Sequence, residues 1–133
     1  YYSDILTTRD RADMLKLHRE KNFDATIAVS DHYKLPVGVA KIKDSKVINF
    51  EEKPDYNINS TIGILIIKVS AIGKFANLTG DIDIMRDMIQ KLVTEGKVGA
   101  YVTGDFWIDV GSTDTYEKLD HNAIDEMFSR YII

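Results

Sequence analysis

Apolar residues recur along this chain with two distinct periods. Between Thr8 and Asn22, Met14, Leu15 and Leu17 share one side of a helical wheel with His18 beside them, which predicts an amphipathic helix. Thr7 or Thr8 is placed to cap its start, and Asp10 to complement the positive end of its dipole. Ala25-Thr26-Ile27-Ala28-Val29 is short and partly β-branched, the pattern of a strand. Val37 to Ile42 and Lys46 to Glu51 alternate apolar with polar about Lys43-Asp44-Ser45, which predicts a β-hairpin. Ile62 to Ile67 is almost continuously apolar, as in a strand buried on both faces.

Ser70 to Gly80 is less regular, with a short helix expected around Ala71–Phe75. Ile82, Met85, Met88, Ile89, Leu92 and Val93 then follow helical spacing, opened by Asp81 and Asp83 and stopped by Gly96. Lys97 to Thr103 alternates as a strand does, and Phe106 to Val110 reads as another. Ser112 or Thr113 caps a last helix with Tyr116, Leu119, Ala123, Met127 and Tyr131 on one face. Strands interleaved with helices and at least one hairpin predict an α/β domain over residues 1–133, a mixed sheet with flanking helices. No repeat, low-complexity tract or Pro/Gly linker divides it. The first strand is expected to end at Tyr2-Ser3, with the sheet continuing upstream. The chain opens without Met, so a short natural protein and a fragment of a longer one are equal expectations.

Charge and composition narrow the class. Seventeen Lys and Arg against 21 Asp and Glu leave a net charge of −4, which argues against a nucleic-acid binder. With 44 % apolar and 10 % aromatic residues the chain has the material for a core. The absence of Cys removes disulfides, thiolate nucleophiles and thiolate zinc sites, and His18, His32 and His121 share no metal-ligand spacing. The longest apolar run, Ile64 to Ile67, is far short of the about 20 residues of a membrane span. A soluble cytoplasmic protein without membrane or nucleic-acid partners is expected.

Three features bear on chemistry. Asp4 follows an expected strand end, and Asp109 lies between an apolar strand and a helix cap. Ligands of α/β sheets gather at the carboxyl ends of strands, where two carboxylates are able to hold Mg²⁺. The alternative makes Asp4 a turn residue and Asp109 a cap. Glu51-Glu52-Lys53-Pro54 closes a strand that Pro54 prevents from continuing. It is either a phosphate- and hydroxyl-binding exit point or a solvated charged end. Gly38 and Gly63 fall inside strand patterns, marking close approach by a ligand or a β-bulge. Neither a P-loop nor a G-x-G-x-x-G is present.

Taken in order, these segments resemble the sugar-1-phosphate nucleotidyltransferases, the nucleotide-sugar pyrophosphorylases. Ser3-Asp4-Ile5-Leu6 is similar to that family's metal-binding strand end, and Ala25-Thr26-Ile27-Ala28 to the segment after it. Val37-Gly38-Val39 is similar to its sugar-contacting turn, and Phe50-Glu51-Glu52-Lys53-Pro54 to its F-x-E-K-P motif. Ser60-Thr61-Ile62-Gly63-Ile64 resembles its sugar-pocket strand, and Trp107-Ile108-Asp109-Val110-Gly111 its second metal-binding segment.

The resemblance implies a partial nucleotide-diphospho-sugar transferase (Rossmann-like) fold, Mg²⁺ between Asp4 and Asp109, and Lys53 on the sugar phosphate. It also implies Glu52 on the sugar hydroxyls, and Gly38, Thr61 and Gly63 lining the sugar pocket. NTP and a sugar 1-phosphate would be the substrates, and pyrophosphate a product. Ser3 stands where the family has Gly, and Thr61-Ile62 where Asn-Ala is common. The family's N-terminal Gly-rich loop has no counterpart here, so the chain resembles the sugar-binding C-terminal part of the catalytic domain. Impaired turnover is expected, as is self-association through an exposed strand edge, making a homo-oligomer. The alternative is a non-catalytic sugar-phosphate-binding or assembly module of the same ancestry.

Overall fold

The computed structural model describes residues 1–8, 10–77 and 79–129. At its centre Ala25–Ser30 (β2) runs between Ser60–Ile67 (β7) and Val98–Thr103 (β8). The β2–β7 pair is antiparallel and the β2–β8 pair parallel, so the sheet is mixed as the pattern predicts. Alternate β2 side chains feed two cores. Ala25 and Ile27 face Ala71, Phe75, Met88, Ile89 and Leu92, while Ala28 joins Met14, Ile62 and Ile64 on the other side. Helices therefore cover both faces. Ala12–Lys21 (α1) supplies Met14 to one core, and Val69–Gly73 (α2) supplies Ala71 to the other.

Three shorter ladders surround this sheet. Ile5–Thr7 (β1) pairs antiparallel with Trp107–Asp109 (β9), and Tyr33–Lys34 (β3) with Asp55–Tyr56 (β6). Val39–Lys43 (β4) and Lys46–Glu51 (β5) make the expected hairpin. Its turn residues Asp44 and Ser45 both have positive φ, 48° and 62°, the backbone of the twist-matched two-residue turn. Gly99 of β8 lies under the Phe23 ring, whose atoms occupy the space of a side chain at that position.

Several expectations need correction. The first strand does not end at Tyr2-Ser3. It begins at Ile5, after Asp4, because its hydrogen-bonding partner is β9. The first helix starts at Ala12 rather than at Thr8. Asp10 Oδ1 accepts from the Ala12 amide at 2.9 Å, and no side chain caps from Arg11. The segment after Asp83 opens as a π-helical turn, Ile84–Ile89, and becomes α-helical only over Gln90–Thr94 (α3). The wider turn buries Met88 and Ile89 but leaves Ile82 and Ile84 exposed.

The last helix is two helices, Thr113–Glu117 (α4) and His121–Phe128 (α5). Ser112 caps the first by accepting from the Thr115 amide, as expected, and Asp120 caps the second by accepting from Ala123. Tyr131 lies outside the described residues. β7 is fully buried only at Ile62 and Ile64, so its apolar run does not mean burial on both faces throughout.

Candidate active site

The carboxyl ends of the parallel strands β2 and β8 open into a cleft of about 950 Å³. β7 supplies Thr61 to Leu65 to its floor, and Gly104 to Asp109 form one wall. The opposite wall carries His32, Lys34 and Asp55 from the β3–β6 region. Parallel neighbours place their carboxyl ends at the same edge of a sheet, and there ligands of α/β folds bind.

Asp4 and Asp109 meet at the end of the β1–β9 ladder. Ile5 pairs with Asp109, and the Val110 amide donates to the Asp4 carbonyl at 2.7 Å. The position a Gly111 Cβ would take lies 2.8 Å from Asp109 Oδ1 and 3.1 Å from Asp4 Oδ2. Both carboxylates therefore border one small space that only a glycine at 111 leaves open. The Gly111 amide also donates to Asp109 Oδ1 at 2.7 Å, fixing that side chain. Among the described residues, no lysine, arginine or histidine forms an ion pair with either carboxylate. An oxygen-only donor pair suits a hard divalent cation that keeps several waters or phosphate oxygens. No group of three or more His, Asp or Glu side chains is arranged to hold a metal among the described residues, so a cation here would draw its remaining ligands from water and substrate.

The other expected site residues fall into two groups. Thr61 and Gly63 line the cleft with Asp109. The glycine at 63 answers to the chain itself, for it has φ +69° and its side-chain space is bounded by Ile5 and Tyr2. Its peptide also accepts from the Tyr2 amide at 3.0 Å, and the β2–β7 register shifts beside it, so a β-bulge sits here. Gly38 and Glu52 adjoin across the mouth of the β4–β5 hairpin. A Cβ on Gly38 would meet the Phe50 ring and lie 2.9 Å from Glu52 Oε2. Gly38, Glu52 and Lys53 do not themselves line the cleft.

Lys53 is held with φ 45°, a left-handed backbone unfavourable for a lysine and more so before proline. Strain of this kind persists where surroundings impose it. Here the Leu35 amide donates to the Pro54 carbonyl at 3.0 Å, anchoring the segment to the cleft's β3–β6 wall.

His32, Lys34, Asp55 and Asp105 line the cleft without having been singled out in the sequence. Thr103 Oγ1 donates to Asp105 Oδ2 at 2.5 Å, and His32 Nδ1 stands 3.9 Å from Asp55 Oδ1. The signal of His32 and Asp105 was position just beyond the ends of β2 and β8, which becomes visible only once those strands are known to be parallel, while Lys34 and Asp55 reach the cleft through the β3–β6 pairing.

The fold is thus a mixed α/β sheet with a cleft at its strand ends and two carboxylates paired at the end of the β1–β9 ladder. Residues 2–126 match the family model described as nucleotidyl transferase, and the chain belongs to that family. It is 29 % identical over 137 residues to a glucose-1-phosphate adenylyltransferase of Clostridium novyi, covering 92 % of this chain and 35 % of that protein. A glucose-1-phosphate adenylyltransferase of Clostridium perfringens is 30 % identical over 124 residues, covering 84 % of this chain and 32 % of its own length. The chain thus spans about a third of the length of these curated relatives. A Bacillus anthracis structure assigned as a glucose-1-phosphate thymidylyltransferase, solved with sucrose, superposes with a TM-score of 0.63 at 18 % identity. It covers 92 % of this chain and 52 % of that one, a likeness of fold.

Proposed function

We propose that this chain provides the sugar-phosphate side of a nucleotidyl transfer in which an NTP and a sugar 1-phosphate give a nucleotide sugar and pyrophosphate. The observation that carries the reading is the convergence of Asp4 and Asp109 on the space left by Gly111. In the proposed reaction a phosphate oxygen of the sugar 1-phosphate attacks the α-phosphorus in line. The new O–P bond forms as the bond to the departing pyrophosphate breaks. Such chemistry asks a protein for positioning and charge neutralisation rather than covalent help.

Asp4 and Asp109 would hold Mg²⁺, which when bound neutralises phosphate charge. Lys53 would bind the sugar phosphate as a point charge, and Glu52 would accept hydrogen bonds from sugar hydroxyls. Gly38, Thr61 and Gly63 would shape the sugar pocket. We place the protein in the cytoplasm; no helix among the described residues is long and apolar enough to cross a membrane.

A second reading, binding of the sugar phosphate without efficient turnover, is favoured by the position of Glu52 and Lys53 outside the cleft that Asp109 lines. One experiment separates them. The chain is titrated with glucose 1-phosphate with and without Mg²⁺, and pyrophosphate release is followed after ATP is added. Mg²⁺-dependent binding that weakens in Lys53→Ala supports the site in either case. Rapid pyrophosphate release would remove the second reading, and no binding at millimolar ligand would overturn both.

A further inference from the structure

The β4–β5 hairpin stands apart from the central sheet. Among the described residues each of its strands pairs only with the other, and every residue of β5 is exposed. Its register places Ala40, Ile42, Val47 and Phe50 on one face, with lysines, Asn49 and Glu51 on the other. Ile42, Val47 and Phe50 are 67 %, 62 % and 60 % exposed. An isolated two-stranded hairpin is marginal in water, and a bare apolar strand edge is a template for another strand.

We propose that β5 pairs antiparallel with β5 of a second copy about a two-fold axis between Ile48 and Asn49, making a four-stranded sheet. Ile48 is an extra residue that bulges β5 between Val47 and Asn49 and so puts Val47 and Phe50 on one face; with that bulge at the axis in both copies, the strand is complementary to itself in this register. Lys46 meets the second copy's Glu51 at both ends, and these two positions share the polar face. Val47 meets the second copy's Phe50, again twice, on the apolar face. A slip of one residue sets Val47 against Glu51, and the opposite slip sets Lys46 against Phe50. Either slip brings a charge onto the apolar face, so one register is selected. The free edge adds backbone hydrogen bonds and the paired faces make a continuous apolar strip, an isologous contact in which every interaction occurs twice. β5 contributes nothing to the cleft lining, so this pairing stands independently of the proposed reaction.

Sedimentation of the 133-residue chain at about 100 µM, above common weak association constants, tests the pairing. A dimer is expected. Lys46→Glu and Glu51→Lys each place like charges together at both ends, and each is expected to weaken the dimer at least tenfold. The double variant, with both charges exchanged, is expected to restore it. Circular dichroism checks that each variant keeps its fold, which these exposed positions favour. A monomeric wild type, as would follow if a segment of a longer protein covered this edge, overturns the proposal. So does a dimer indifferent to the single changes, or a double variant that is not rescued.

Discussion

Gly111→Ala is the sharpest perturbation of the Asp4–Asp109 pair, because it leaves both carboxylates chemically intact. Ordinary contact with a Cβ begins at 3.4 Å, so the new methyl would push Asp109 Oδ1 back by about 0.6 Å and Asp4 Oδ2 by about 0.3 Å. Mg²⁺ requires oxygen ligands at about 2.0–2.1 Å in nearly ideal octahedral geometry, and a competent site tolerates only about 0.2 Å. The displacement exceeds that, and it strains the Gly111 amide bond that orients Asp109. Metal affinity should fall roughly 10–100-fold, about 1.4–2.7 kcal/mol, the scale seen when the support of a metal ligand is removed. Stability should change by less than about 1 kcal/mol at this exposed position. Calorimetric titration with Mg²⁺ or Mn²⁺, alongside a thermal melt, reads both quantities. Gly104→Ala is the control, since Gly104 lines the same cleft but nothing lies within 4 Å of its would-be Cβ. A folded Gly111→Ala protein that binds the cation as tightly as wild type would refute the reasoning.

Two further predictions concern the fold. Gly99→Ala drives a methyl into the Phe23 ring and should cost about 1–3 kcal/mol in a denaturant melt; combining it with Phe23→Leu should recover part of the loss, and full additivity would argue against the contact. His18 is buried with Nδ1 2.8 Å from Thr26 Oγ1. Desolvation first, then the positive charges of Lys68 and Arg19, lower its pKa against an opposing pull from Asp24. The unfolded state therefore gains a proton at higher pH than the folded state. Stability is unaffected well above the ordinary histidine value of about 6.5 and declines as pH falls through it. A melt series from about pH 7.5 to 5.5, one unit to either side, should show a steeper loss for wild type than for His18→Gln, and equal slopes would contradict this.

Which parts of the molecule were legible in the sequence follows from the range of the interactions that set them. The hairpin, β2, β7 and the Ser112 cap rest on local alternation and capping chemistry, and they appear where the pattern puts them. The break in the last helix had a local signal too, since Asp120 stands three residues before the Ala123 amide it accepts from, but the continuing apolar stripe concealed it. The π-helical turn did not follow from periodicity, because the same apolar spacing serves either winding.

The site divides in the same way. Asp4 and Asp109 carried weight through their places beside apolar strands and through the family resemblance, and β1–β9 pairing, a long-range event, brings them together. His32 and Asp105 were missed because nothing near them in sequence says that β2 and β8 run parallel. Gly38 and Gly63 owe their identity to Phe50, Tyr2 and Ile5 of the same chain, contacts that a strand pattern does not disclose.

The most direct measurement of the central claim is paramagnetic line broadening by substoichiometric Mn²⁺ in the amide NMR spectrum. The signals of Asp4, Val110 and Gly111 are expected to fade first and to saturate as one site, and Asp4→Asn and Asp109→Asn are each expected to abolish the effect. Broadening centred instead on the acidic stretch from Asp81 to Asp87, or spread evenly over the acidic surface, would contradict the account.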